Sequence, residues 1–380
     1  MTNVIEPGDH DLRSRRTFLR DSGLALAGLR FAPSILARSA ASSAARQKLL
    51  IAIFQRGAVD GLNMVVPYGE RAYYENRPSI AVPRPGGADA AIDLDGFFAF
   101  HPRLAPLEPI FDRGDLAVIH ACGSPDHTRS HLDAQDYMQS GTPGVKDTGD
   151  GWLNRTLAAR PIDTASPRRA VALAPTLPRA LQGSASVLPI GRNQADPSQY
   201  RPARGADYPR STFGQALCQV AQLAKSDRGL EIAFVETGNW DHHVNQGSTQ
   251  GPLAARLDDL ARGMGALVTD LGEQMRDTVI LTMSEFGRTL AENGGRGTDH
   301  GHGNAMIAIG AGVKGGHVYG AWPGLERDQL FEGRDLQVTT DFRDVFAEVV
   351  TSHLGVGDVS GIFPGYAITM SNRRGFMSTS

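Results

Sequence analysis

Along the chain, short unbroken apolar runs alternate with stretches in which apolar residues recur every three or four positions. Residues 48–54 (KLLIAIF), 116–120 (LAVIH), 170–174, 232–236 (IAFVE), 279–282 and 305–310 (AMIAIG) are runs of strand length without polar alternation. That is the pattern of parallel strands buried on both faces. Helices are predicted from about Arg129 to Met138, over 212–226, over 253–275 and over 339–354. In the third, Leu257, Leu260, Met264, Leu267 and Leu271 fall at helical spacing. Asp126 or Thr128 is the expected cap of the first, and Thr340 or Asp341 of the last. Strands alternating with helices predict an α/β fold, a mainly parallel sheet sandwiched by helices. Residues 84–102 read as a loop or insertion, and the Pro-, Gly- and Ser-rich stretch 142–210 as a cap or active-site cover.

The first 45 residues read as an address rather than as fold. SRRTFLR at 14–20 is a twin-arginine signature, followed by a weakly apolar stretch (23–37, broken by Arg30) and the small-residue run ARSAASSAA ending at Ala45. The expectation is a signal peptide over 1–45, export to the periplasm through the twin-arginine machinery, and one domain over 46–380. No window is long and apolar enough for a membrane span. A net charge of −3 and a pI near 6.4 give no footprint for nucleic acid. Cys122 and Cys218 form either one disulfide or two free thiols.

The candidate chemistry is concentrated just beyond the predicted strands. Seven of eleven histidines lie there in three groups: His120, His127 and His131; His242 and His243; His300 and His302. Acidic residues accompany them: Asp60, Asp126, Asp133, Asp241, Glu285 and Asp299. Ligand sites of open α/β sheets lie at the carboxyl ends of the strands, and imidazole with carboxylate suits a borderline divalent cation, zinc first. Asp241 and His243, two apart in extended backbone, point the same way and can grip one ion while His242 faces elsewhere. His300 and His302 have the same spacing. Thr128 and Ser130 stand at a strand-to-helix turn, as helix caps or as activated nucleophiles. Arg129 and Arg288 are candidates to clamp an anion bidentately, or members of ion pairs. No GxSxG or Walker A sequence is present.

Several longer motifs then stand out: RGAVDGLNMVVPYG, DHTRSHLDAQDYMQSG, GNWDHHVNQ, MSEFGRT, TDHGHGN, GVKGGHVYGAWPGL and TTDFRDVF. In these the chain resembles the DUF1501 family of exported proteins, grouped with the alkaline phosphatase-like and sulfatase-like superfamily. The resemblance implies a metal site at the carboxyl edge of the sheet. It places the first-strand carboxylate at Asp60, the nucleophile at Thr128 or Ser130, one metal pair at Asp241 and His243, and the last histidine at His300 or His302. The remaining metal pair falls on Glu285 and Phe286. Phenylalanine cannot ligate, so either His127 or His131 replaces it or the site holds one ion. The function implied is hydrolysis of a phosphate or sulfate ester, on a small molecule or a polymer. Zinc, manganese, calcium or iron would be held by Asp60, Asp241, His243, Glu285 and His300 or His302, with Arg129 and the metals stabilising charge on the ester oxygens. The alternative is a binding or assembly protein on a degenerate hydrolase scaffold.

Overall fold

Six of the apolar runs become strands of one nine-stranded sheet, and their order decides where the polar residues gather. Residues 47–160, 169–189, 200–226 and 229–378 are described in the computed structural model; the expected signal segment, 1–45, lies outside them. The strands are β1 (Leu49–Gln55), β2 (Leu116–Gly123), β3 (Ala170–Leu173), β4 (Ile232–Thr237), β5 (Thr278–Met283) and β6 (Asn304–Gly310). They lie in the order β2-β6-β5-β1-β4-β3, with His317–Tyr319 and Leu188–Pro189 at the two edges and Thr340–Asp341 also pairing with β2. β1 is parallel to both neighbours, Ile51 standing opposite Ala233 and Ile280. β6 alone among the six runs antiparallel, between β5 and β2.

The expected mainly parallel sheet between helices is therefore what the chain forms. Alternate residues of β1 enter different cores: Ile51 and Ile53 on one face, Leu50, Ala52 and Phe54 on the other. The helices are α1 (His131–Ser140), α2 (Trp152–Ala159), α3 (Thr212–Lys225), α4 (Pro252–Leu271) and α5 (Phe342–Ser352). α3 and α4 cover the first face through Phe213, Leu217, Leu257, Leu260 and Met264. α2 and α5 cover the second, where Trp152 stacks on Phe346 at 4.4 Å. Within 142–210, β3 forms where expected, and α2 was not visible as a periodic pattern. Both cysteines are free thiols. No helix among the described residues is long and apolar enough to cross a membrane.

One helix start differs from expectation. α1 begins at His131 rather than near Arg129, because Ser130 is its cap and its hydroxyl accepts from the Asp133 N–H at 3.4 Å. α5 begins at Phe342, capped by Asp341, one of the two expected residues, which accepts from the Arg343 N–H at 2.9 Å.

Glu231, buried just before β4, pins the chain on either side of residues 161–168. Arg160 Nε reaches it at 2.5 Å and Arg169 also pairs with it. Burial pushes the Glu231 carboxyl up, but the two guanidiniums more than offset this and hold it below the ordinary glutamate value. Its contribution is thus present above the unfolded pKa and lost as pH falls through the lower folded value. Glu231→Gln is expected to destabilise the protein by about 1–3 kcal/mol at pH 7. In urea titrations the gap between variant and parent narrows as the pH is taken below about 4.3, the glutamate reference value.

Candidate metal centre

The carboxyl ends of β1, β4 and β5 lead into residues 56–60, 238–243 and 284–285, and β2 leads into the turn before α1. Because β6 is reversed, the segment preceding it, with Asp299, His300 and His302, comes to the same edge. Two loops cross there in close backbone contact. The Gly287 N–H donates to the His302 carbonyl at 2.9 Å, and the Gly301 N–H to the Gly287 carbonyl at 2.8 Å. A Cβ on Gly287 would lie 1.9 Å from the Gly303 oxygen, and one on Gly301 2.4 Å from the Arg288 carbonyl carbon. The glycines of MSEFGRT and TDHGHGN are needed for this approach.

Three imidazoles and one carboxylate converge at this crossing. His300 Nε2 lies 3.0 Å from His131 Nε2, 3.0 Å from His243 Nε2 and 3.3 Å from Asp241 Oδ1. Asp241 is also 3.4 Å from His131 Nε2 and 3.0 Å from His243 Nε2. Ligand atoms of His131, Asp241 and His300 all lie within 4.8 Å of one another, a group that could hold a metal ion. The four side chains are between about a quarter and two-fifths exposed, so the site opens to solvent.

Each imidazole is fixed from behind by an acceptor. His131 Nδ1 donates to Glu285 Oε1 at 2.8 Å, His243 Nδ1 to Asp299 Oδ1 at 3.1 Å, and His300 Nδ1 to the Arg129 carbonyl at 2.8 Å. A carbonyl or an ionised carboxylate can only accept, so in the neutral ring each Nδ1 bears the hydrogen and each Nε2 presents a lone pair. Lone pairs that meet at 3.0 Å repel unless a cation lies between them. Carboxylate or carbonyl behind, Nε2 in front, is how metal-ligating histidines are held.

The surroundings of each carboxylate favour its ionised form. Burial raises the Asp241 carboxyl, but the hydrogen bond and charge of Arg288 more than offset it. Glu285 is raised by burial and lowered further by bonds from His131, Gln135 and the Gly57 N–H; Asp299 is held low by Asn293 and His243. Burial lowers His300, whereas the bond to Glu285 raises His131. Three carboxylates against the one guanidinium of Arg288 leave two negative charges, which a divalent cation would neutralise. The donor set, three imidazole nitrogens and a carboxylate oxygen, fits zinc, iron or manganese and argues against calcium, which takes oxygen ligands.

Several expected site residues are employed otherwise. Asp60 is buried and caps the short helix Gly61–Met64; its Oδ2 accepts from Arg77 Nη1 at 2.7 Å and Gln246 Nε2 at 2.6 Å, an ion pair in place of a metal bond. Glu285 stands behind His131 with its Oε1 filled by three donors at 2.8 Å, so that oxygen orients the His131 ring. His302 turns from the cluster and stacks on Phe331 at 4.4 Å, beside His127. Thr128 Oγ1 accepts from the Ser130 N–H at 3.2 Å and Ser130 is the α1 cap. Neither hydroxyl bonds any of the four converging side chains among the described residues. The Arg129 guanidinium pairs with Glu332 and Asp335, each at 2.7 Å, and only its carbonyl serves the site. Arg288 is spent on Asp241 at 2.7 Å and on Thr298.

His131 joins Asp241, His243 and His300 as the residue that the sequence left open. Phe286 packs 4.9 Å from the His131 ring and 5.1 Å from the His300 ring, an apolar wall beside the two imidazoles. Asp241 and His243 meet as their spacing suggested, over a buried Trp240 whose Nε1 donates to the Thr237 carbonyl. Gln135 was missed; its signal is the four-residue spacing from His131.

No curated protein matches the sequence. Among solved structures, the chain is similar to the C-terminal periplasmic domain of EcEptC from Escherichia coli in complex with Zn (9% identity, 70% of this chain and 74% of that one, TM-score 0.40). It is also similar to the phosphonate monoester hydrolase SpPMH from Silicibacter pomeroyi (10%, 88% and 78%, TM-score 0.46). A protein in the alkaline phosphatase superfamily from Vibrio parahaemolyticus matches over 72% of this chain and 62% of that one, at 9% identity and TM-score 0.39. Residues 192–361, which carry Asp241, His243, Glu285 and His300, match the family described as protein of unknown function (DUF1501).

Proposed function

We propose that the protein is an exported, single-metal hydrolase of phosphate or sulfate esters. The observation that carries the metal part is the convergence of three imidazole Nε2 atoms, each with its Nδ1 hydrogen bonded outward, beside an Asp241 carboxylate held by Arg288. His131, His243, His300 and Asp241 would hold the ion. When bound, it would supply Lewis acidity toward an ester oxygen and toward an attacking water. The chain's own residues orient and balance: Glu285, Asp299 and the Arg129 carbonyl fix the rings, and Arg288 limits the negative charge that an incoming anion meets. Attack is assigned to water, because the Thr128 and Ser130 hydroxyls belong to the turn that positions His131. The ester class follows from the family resemblance of the motifs, and export from the signal expected over 1–45.

The test is a screen of the protein loaded with zinc, manganese or iron on phosphomonoester, phosphodiester and sulfate-ester substrates across pH. Turnover of at least one class, abolished by a chelator and restored by the metal, is expected. If the ion is bound and no ester is turned over, the binding-protein alternative replaces the hydrolase. Phe286, which falls where the resemblance would put a second metal's ligand, supports that alternative.

A further inference from the structure

Behind the His131 ring lies a chain of side chains in which every donor and acceptor is determined. Gln135 is one helical turn beyond His131 on α1, and its Nε2 donates to the same Glu285 oxygen as His131 Nδ1, both at 2.8 Å. The Gly57 N–H adds a third donor at 2.8 Å, and Ser284 Oγ meets the other oxygen at 3.1 Å. The direction of the Gln135 amide is set from its far side. Arg56 Nη1 donates to Gln135 Oε1 at 2.9 Å, so the NH₂ group must face Glu285. Arg56 is held in turn by Glu236, whose carboxylate accepts from its Nε at 2.5 Å. The chain Glu236–Arg56–Gln135–Glu285–His131 thus ties the carboxyl ends of β1, β4 and β5 to the first turns of α1.

We propose that Gln135 is a positioning residue: by anchoring Glu285 it fixes His131 as the Nδ1–H tautomer and aims Nε2 at the metal centre. Gln135 has both ends of its amide assigned, by a guanidinium on one side and on the other by the carboxylate that holds His131 Nδ1. A glutamate at 135 would keep the bond to Arg56 but set a carboxylate against Glu285, displacing Oε1 from His131 Nδ1. Exchanging the two residues would not restore the pattern, because both bonds fall on the one atom Glu285 Oε1, and a single amide atom in its place cannot both accept from His131 Nδ1–H and donate to a carboxylate at 135.

The proposal rests on the metal centre above, and the experiment separates the two. Zinc affinity of the full chain is measured by chelator competition for the parent, Q135E and E285Q, and the His131 tautomer by ¹⁵N NMR without metal. Gln135→Glu is expected to weaken zinc binding about 10–100-fold, as loss of an outer-shell partner does, and to remove the Nδ1–H signature of His131. Glu285→Gln, whose side-chain oxygen can still accept from His131 Nδ1–H and from Gln135 Nε2, is expected to keep that signature. An unchanged tautomer in Q135E, or zinc affinity in Q135E equal to the parent's, would overturn the positioning role. A parent that binds no zinc while Q135E still alters the tautomer would overturn the metal centre and leave the positioning of His131 standing.

Discussion

A His300→Ala variant is expected to bind zinc at least ~100-fold more weakly than the parent while keeping its fold. His300 stands at the middle of the cluster, its Nε2 within 3.3 Å of His131, His243 and Asp241. A four-ligand zinc site is worth roughly 10–16 kcal/mol, so one ligand in four accounts for about 3 kcal/mol, or two orders of magnitude in affinity. The ring is about a quarter exposed, so its removal leaves no sealed cavity. His302→Ala is the matched control. That ring packs on Phe331 outside the cluster, and its loss is expected to lower stability without changing zinc affinity. Chelator-competition titrations of both variants give the comparison; equal losses at the two positions would mean that the assignment of His300 over His302 is wrong.

The second large effect is on stability. Asp60 and Arg77 form an ion pair at 2.7 Å with side chains 2% and 0% exposed, and Arg77 also donates to the carbonyls of Thr289 and Leu290, each at 2.8 Å. Arg77→Met leaves the Asp60 carboxylate buried with Gln246 and the Asn63 N–H as its remaining partners. Breaking a buried pair from one side costs about 3–5 kcal/mol. Urea unfolding is expected to show that loss. In Asp60→Asn, which keeps a polar group of the same shape, metal stoichiometry is expected to be unchanged, because Arg77 and Gln246 already occupy the Asp60 Oδ2. Loss of the bound ion in Asp60→Asn would return Asp60 to the metal site.

The two effects mark where the sequence was legible and where it was not. The strands were legible because unbroken apolar runs such as 48–54 have few places in a folded chain other than a doubly covered sheet. The direction of β6 was not, since an apolar run carries no arrow; yet its reversal is what brings His300 to the ends of β1, β4 and β5. Asp241 and His243 could be paired from their spacing. His300 and His302 have the same spacing, and only the contact of Gly287 with Gly301 and Gly303 decides which ring enters the cluster. Asp60 looks the same in sequence whether it binds a metal or an arginine, and Arg77 is seventeen positions away. A two-residue shift in the start of α1 made Ser130 a cap and put His131, rather than a hydroxyl, at the site.

The most direct measurement is X-ray diffraction from zinc-loaded crystals on both sides of the zinc absorption edge, which locates the ion independently of any refined coordinates. One anomalous peak is expected, about 2.0–2.1 Å from the Nε2 atoms of His131, His243 and His300 and at a similar distance from Asp241. A peak coordinated by Asp60 or by His127 and His302, or crystals grown in excess zinc with no peak among these four side chains, would contradict the metal centre.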